Sequence, residues 1–242
     1  MHKTPGQKDL QFATQEVDEL ERLCSSNKLQ VSKPSPYKEQ VLSALSSCKI
    51  LHFAGYGSTH ESDPLRSFLL LKDWKEEPLT VASLLTTNLR KQTPFLAYLS
   101  AGGTGQIKSN NFLDEGLHPI SAYQLAGFRH VIGTLWEVND MACMEMATMT
   151  YEWMLDHDMS NESVSEGLHR AIRCLRHQWM EENSAREALR SGKGLQKIKD
   201  DQGAVRRLDS SQGEPRDPRD VELCEDTKHS PLYWVPYVHY GV

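Results

Sequence analysis

Four short apolar runs, separated by stretches of helical periodicity, constrain this chain more than any other feature of its sequence. They are residues 50–54, 68–71, 95–99 and 131–135, and the first three are followed by a glycine, by charged turn residues and by a serine, in that order. Runs of this length that are apolar on both faces are typical of buried strands in a parallel sheet. Because they alternate with helical segments, the sequence predicts an α/β sandwich with a mostly parallel central sheet flanked by helices.

The helices are predicted from side chains that can accept a hydrogen bond at a helix N-terminus. These capping candidates are Thr14, Ser35 (followed by Pro36), Thr80, Asn139 or Asp140, and Ser163 with Glu166 as a capping box. A further helix is expected at residues 120–126. The helix after Ser35 is predicted to turn its apolar side chains inward, namely Tyr37, Val41, Leu42 and Leu45.

Composition divides the chain into four segments. Residues 1–35 hold one short helix and end in a linker, and residues 36–180 form the α/β core. Residues 181–230 contain no aromatic residue and are dense in charge, so they are predicted to be a flexible insertion with only a short helix near residues 185–189. Residues 231–242 carry four aromatic residues and predict a strand that returns to the core, at an edge because of Pro236.

Bulk properties exclude several classes of protein. The net charge of -6 provides no basic surface for nucleic acid. The five cysteines form no CxxC pair, and neither they nor the ten histidines have metal-ligand spacing, so reduced thiols and no metal or cofactor are expected. No signal peptide or membrane-spanning run is visible, which predicts location in the cytoplasm, with the nucleus as the alternative.

Three loops follow the carboxyl ends of predicted strands, where an open α/β sheet binds its ligands. They are residues 55–60, 100–111 and 136–140. The residues predicted to line a pocket there are His52, Gly55, Gly57, Ser100, Gly103, Thr104, Trp136 and Asp140. The glycines at 102–105 lack the Lys-Ser/Thr of a P-loop, so a tight turn is favoured over a phosphate site. Asp140 has two open interpretations, a helix cap or part of an acidic rim.

These loops and the end of the chain together resemble the CHAT family. The blocks that carry the resemblance are residues 52–57, 99–105 and 126–140, with Trp234 and residues 237–241 similar to the family's last strand. The resemblance covers about residues 36–179 and the C-terminal strand, and fits the N-terminal helix more loosely. It implies a caspase-like cysteine peptidase fold.

The family's two catalytic positions are both replaced in this chain. By the resemblance, Tyr56 stands where the family has its general-base histidine, and Gly102 stands where it has its nucleophilic cysteine. Glycine offers no side chain, and an unperturbed tyrosine titrates near pH ~10, which makes it a poor base at neutral pH. Loss of one such group costs on the order of 10⁶ in turnover in a comparable hydrolase. No catalytic residue is therefore expected at these positions.

Three functional hypotheses remain open. The first is a catalytically inactive pseudopeptidase that acts as a regulatory module by binding a protein or peptide, with neither nucleic acid nor membrane as a partner. The second is a residual hydrolase that uses Ser100 or Thr104 with His52 or His60. The third is a product of decay with no selected role. CHAT domains often end larger proteins with helical repeats, and this chain resembles such a C-terminal part.

Overall fold

The computed structural model describes residues 1–60, 63–87, 89–102, 119–136, 138–197 and 234–241. These residues form one sheet in the order β3-β2-β1-β4-β5-β6. The strands are β1 (Ile50–Ser58), β2 (Phe68–Leu69), β3 (Leu79–Thr80), β4 (Leu96–Gly102), β5 (His130–Thr134) and β6 (Tyr237–Tyr240). The helices are α1 (Ala13–Ser26), α2 (Lys38–Leu45), α3 (Val81–Thr86), α4 (Pro119–Ala126), α5 (Asp140–Asp156) and α6 (Asn161–Lys197).

The predicted α/β sandwich is confirmed, but its sheet is parallel only at the centre. Strand β1 pairs in parallel with β4, and β4 pairs in parallel with β5. Among the described strands the other three of the five neighbouring pairs are antiparallel: β1 with β2, β2 with β3, and β5 with β6. The prediction of a mostly parallel sheet is therefore wrong by number of pairs. Two-residue strands such as β2 and β3 have no periodic sequence signal from which their direction could be read.

Strand β1 extends beyond its predicted end at Gly55. Its last residues pair on both sides, Tyr56 with Gly102 of β4 and Gly57 with Leu69 of β2. Gly55 therefore lies inside the strand. The absent Cβ leaves room for the ring of Phe53, whose Cζ would lie only 2.7 Å from it. This glycine serves side-chain packing and does not end the strand.

Two predicted caps are confirmed by side-chain hydrogen bonds. Thr80 Oγ1 accepts from the Ser83 amide at 3.1 Å at the start of α3. Asn139 Oδ1 accepts from the Met141 amide at 2.9 Å at the start of α5. Both are local interactions within three residues, which is why the sequence pattern predicts them.

Three other predicted caps are wrong. Thr14 lies inside α1, whose N-cap position is Phe12. Helix α2 begins at Lys38, whose amide donates to Asp73 Oδ2 at 3.0 Å, so the capping oxygen comes from another loop and not from Ser35. At α6 the cap is Ser160, whose Oγ accepts from the Ser163 amide at 3.2 Å.

The predicted inward face of α2 is confirmed only in part. Leu45 is buried in the core, and Val41 and Leu42 pack against it. Tyr37, by contrast, is 44% exposed because it precedes the helix.

Helices cover both faces of the sheet. We call one the apolar face, and the other the polar face because the strand residues His52 and Ser100 lie on it. The apolar face carries α2, α3 and α4, with Phe53, Leu99 and Val131 pointing toward them. The polar face carries α1, α5 and α6, with Tyr98 and Ile132 pointing toward them. Because successive side chains of a strand alternate, each central strand serves both faces.

The C-terminal part of the core consists of α6 and β6. Helix α6 continues to Lys197, well beyond the short helix predicted near residues 185–189, and residues 198–233 lie outside the described residues. Strand β6 lies at one edge of the sheet, and the carbonyl of Pro236 just before it accepts from the Leu135 amide at 2.9 Å. In the described parts of the chain, no helix has the length and hydropathy to cross a bilayer.

Candidate functional site

The carboxyl ends of β1 and β4 lie side by side, and Tyr56 and Gly102 are direct partners in their parallel ladder. Parallel partners direct their side chains to the same face, so a side chain at position 102 would lie beside the Tyr56 phenol. The Tyr56 hydroxyl donates a hydrogen bond to the Lys8 carbonyl at 3.0 Å. The two positions singled out by the sequence therefore lie next to each other at the carboxyl ends of the central strands.

His52 and Ser100 lie on the same face as this pair, deeper under the helices. His52 partners Tyr98 in the ladder, and Ser100 partners Ala54. Gly55 and Gly57 alternate to the other face of β1. Of the predicted pocket residues on β1, only His52 therefore shares the face of Tyr56.

The His52 imidazole is held by a buried carboxylate from α1. Its Nε2 lies 2.8 Å from Glu16 Oε1, and Glu16 is 1% exposed. Tyr98 stacks on the imidazole with ring centroids 5.0 Å apart, and Tyr151 meets it edge-on at 5.6 Å. These contacts hold the ring in a largely buried position, with 13% of the side chain exposed.

Ser100 is not paired with a histidine. Its Oγ makes no hydrogen bond of standard geometry to any described residue, although it lies close to the Cys143 thiol. His52 Nδ1 likewise has no partner within the described part of the chain. A nucleophilic serine needs a base within hydrogen-bond reach, and that contact is not made between these two residues.

The other predicted histidine, His60, is engaged in its own loop. Its Nδ1 accepts from the Asp63 amide at 3.2 Å, and its own amide donates to Ser67 Oγ at 3.1 Å. These bonds stabilise the turn between β1 and β2. Thr104, the alternative nucleophile, lies outside the described residues, as does Gly103.

The described cysteines whose pKa departs from the ordinary value are poorly suited to nucleophilic attack. Cys143 lies buried behind the strand ends, where burial, aided by the negative charge of Glu16, raises the pKa of its thiol to about 12. Burial also raises the pKa of Cys24 and of Cys48. A reactive cysteine needs the opposite shift, since the thiolate is the nucleophile.

Asp140 contacts the N-terminal segment. It is the first residue of α5, and its Oδ2 accepts from the Phe12 amide at 2.6 Å. Burial raises the pKa of its carboxyl, and the hydrogen bond from Phe12 partly opposes that shift. Asn139 provides the cap of α5, so the Asp140 carboxylate is available to bind the main chain of the N-terminal segment at Phe12. Trp136 lies in the loop after β5, partly buried.

Sequence reasoning missed Glu16 and the segment before α1. Glu16 had a detectable signal, because it occupies an inward position in the row Ala13, Glu16, Leu20 and Leu23, where the other three are apolar. A carboxylate in an apolar stripe predicts a buried partner. The segment of residues 2–12 has no such periodic signal, yet it supplies the Lys8 and Phe12 contacts to Tyr56 and Asp140.

No metal site lies at these strand ends in the part of the chain that the structure describes. No group of three or more His, Cys, Asp or Glu side chains could hold a metal ion there. A groove of about 580 Å³ lies between α5 and α6, lined among others by Trp153, Arg170 and Cys174. Asp140 begins α5 whereas Trp153 lies near its other end, about 20 Å along the helix axis, so this groove is separate from the Asp140 contact.

Comparison with known proteins identifies one family for nearly the whole chain. A family model described as the CHAT domain matches residues 2–242. The match includes the N-terminal segment and α1, for which the sequence resemblance was loose. No curated protein matches the chain.

Proposed function

Because the chain belongs to the CHAT-domain family, we propose that it is a non-catalytic member, a pseudopeptidase that acts by binding a protein or peptide. The observation that carries the proposal is the ladder pair of Tyr56 and Gly102 at the carboxyl edge of the sheet. By the family resemblance, a peptidase would place an imidazole and a thiol at these neighbouring positions. Here they hold a phenol and a residue without a side chain.

The side chains around Tyr56 and Gly102 also support the proposal that the chain lacks cysteine-peptidase activity. The Tyr56 hydroxyl is engaged with the Lys8 carbonyl, and the partly buried imidazole of His52 is held by Glu16. Cys143 lies behind the strand ends with a raised thiol pKa. None of these groups supplies an activated nucleophile together with a base.

A binding role is supported by two side chains near the strand ends that form hydrogen bonds with main-chain atoms. Tyr56 and Asp140 already hydrogen-bond a carbonyl and an amide of a polypeptide backbone. Groups of this kind recognise an extended peptide through its main chain. The proposed ligand is accordingly a peptide or an exposed protein segment.

The first test is turnover. Wild-type protein is incubated with a peptide library, and cleavage products are analysed by mass spectrometry beside a Ser100→Ala variant. We expect no products that depend on Ser100. Cleavage that disappears in Ser100→Ala would establish the residual hydrolase instead.

The second test restores the missing groups. In the Tyr56→His/Gly102→Cys variant the new imidazole lies beside the new thiol, so the thiol should be alkylated about tenfold faster at pH 7 than in the Gly102→Cys single variant. The single variant is the matched control, because it has the same thiol without the base. Alkylation is quantified at position 102 by peptide mapping. Equal rates in a folded double variant would show that these positions are not the former dyad.

A further inference from the structure

Residues 2–10 form a loop that is closed by its own hydrogen bonds. The Leu10 amide donates to the His2 carbonyl at 3.0 Å, and His2 Nδ1 donates back to the Leu10 carbonyl at 2.6 Å. The tip is a turn in which the Gln7 amide bonds the Thr4 carbonyl at 3.0 Å. Pro5 followed by Gly6 at φ +79° fits a type II turn, whose third residue requires a positive φ. The loop is thus a preformed unit.

Three side chains from separate parts of the fold hold this loop and the residues after it. The indole Nε1 of Trp74, in the turn between β2 and β3, donates to the Pro5 carbonyl at 3.0 Å. Tyr56 at the end of β1 donates to the Lys8 carbonyl, and Asp140 at the start of α5 accepts from the Phe12 amide. Each contact is made to a main-chain atom of the segment.

We propose that Tyr56, Trp74 and Asp140 form a site for a peptide backbone, and that residues 5–12 of this chain occupy it in cis. The inference rests on the proposed binding function and names its ligand class and its regulation. A partner binds by offering two carbonyls and an amide in the same order, and it must displace the loop to do so. The cis segment therefore lowers the apparent affinity for the partner.

The chemistry of the three contacts determines what the site can distinguish. A phenol and an indole donate to carbonyl oxygens, and a carboxylate accepts from an amide, so every peptide backbone offers suitable atoms. The contacts of Tyr56 and Trp74 are exposed to solvent, and hydrogen bonds of this kind are readily exchanged. A site of this type tolerates many sequences and can be vacated.

The decisive variants change the loop and leave the site intact. Gly6→Val places a β-branched residue at a positive φ, which opens the turn, while the nearest atom to the new Cβ would be Lys75 Nζ at an ordinary 3.6 Å. The matched control is Lys28→Val, which places the same residue at φ +61° in the turn after α1. His2→Ala is a second loop variant, because it removes the side-chain bond of the two hydrogen bonds that close the loop.

Two measurements on the full chain follow. Hydrogen exchange of the Phe12 amide reports release of the segment, and fluorescence anisotropy with a labelled synthetic peptide of residues 2–12 reports occupancy in trans. Gly6→Val and His2→Ala should speed the exchange and tighten peptide binding by about tenfold, whereas Lys28→Val should change neither. Adding Tyr56→Phe and Trp74→Phe to Gly6→Val should bring binding back to the wild-type level or below.

The outcomes separate this inference from the proposed function. If both loop variants release the segment and the peptide still binds no better than to wild type, the backbone site does not exist, while the absence of catalysis is untouched. If binding rises but is unaffected by Tyr56→Phe/Trp74→Phe, the peptide binds elsewhere and the inference is equally overturned. Peptide turnover would overturn the non-catalytic function and leave the backbone contacts standing.

Discussion

The two faces of the sheet are built from the same three central strands and both bury a hydrophobic cluster, but they differ in the polar side chains that they bury. On the apolar face, Phe53 and Leu99 pack with the side chains of α2, α3 and α4, and this core cluster consists of hydrophobic side chains. On the polar face, the neighbouring residues of the same strands include His52, Tyr98 and Ser100, covered by Glu16 and by α5. In β1 and β4, one residue of shift along the strand changes Phe53 to His52 and Leu99 to Ser100.

Both faces contribute a hydrophobic core, and the candidate site lies on the face that also buries polar groups. Burial of apolar side chains is favourable, whereas a buried polar group without a partner lowers the free energy of unfolding. Such groups lie on the polar face without a partner among the described residues, including His52 Nδ1 and Tyr151 OH. Natural sequences retain such groups mainly at functional positions. Tyr56 and position 102 lie on that face.

The largest effect should come from the apolar face. Leu84 of α3 is fully buried there, so Leu84→Ala removes its contacts and leaves a cavity. We expect the free energy of unfolding to fall by about 2–5 kcal/mol. Urea denaturation followed by circular dichroism measures the change, provided that the slope against urea is unchanged.

The matched control for Leu84→Ala is Leu125→Ala on α4, where the side chain is 40% exposed. Its effect should be within about 1 kcal/mol, since most of the leucine is already in water. If the two substitutions cost the same, burial of Leu84 on the apolar face would stabilise the fold no more than an exposed leucine does, and the comparison would fail.

An intermediate effect should come from pH, through a histidine pair at the β6 edge of the polar face. His239 lies 3.0 Å from His130 Nδ1, and His130 also meets Asn161 Oδ1 at 3.0 Å. Burial, and then His130, lowers the pKa of His239 from 6.5 to about 4. Between these values the unfolded chain binds a proton that the folded chain does not, so stability is complete above pH 6.5 and falls as the pH drops toward 4.

The His239 contribution lost over that pH range should be about 1–2 kcal/mol, which allows for the partial exposure of the ring. Thermal unfolding of wild type and of His239→Gln between pH 4 and pH 7 measures it. The variant should lose less stability on acidification. His177→Gln, at an exposed position of α6, should follow the wild-type profile. Parallel profiles for wild type and His239→Gln would contradict the assignment of this loss to His239.

Local patterns predicted the parts of the fold that depend on near neighbours. The caps at Thr80 and Asn139, and the central strands, follow from residues a few positions apart. The proximity of Tyr56 and Gly102 was predictable for another reason, because the carboxyl ends of neighbouring parallel strands meet at one edge of a sheet.

Contacts between distant parts of the chain were not predictable from one sequence. Glu16 meets His52 across 36 positions, and Phe12 meets Asp140 across 128. The capping oxygen of α2 likewise comes from a distant residue, Asp73, 35 positions from Lys38. Each such contact depends on how helices and loops pack on the sheet, and no spacing rule along the chain encodes it. The sequence gives no sign that Lys8 and Phe12 contact Tyr56 and Asp140, although it does single out Tyr56 and Asp140 themselves.

The smallest effect, and the one of opposite sign, should come from a hydroxyl on the polar face. Tyr151 of α5 is 2% exposed, burial raises the pKa of its hydroxyl, and that hydroxyl has no hydrogen-bond partner in the described structure. Tyr151→Phe should therefore leave the free energy of unfolding unchanged or raise it by up to about 1 kcal/mol. The preceding residue provides the control: Thr150 Oγ1 donates to the Met146 carbonyl at 2.7 Å, so Thr150→Val should lower stability by about 1 kcal/mol. Should Tyr151→Phe cost as much as Thr150→Val, its hydroxyl is satisfied in solution, and the polar face is less destabilising than its geometry indicates.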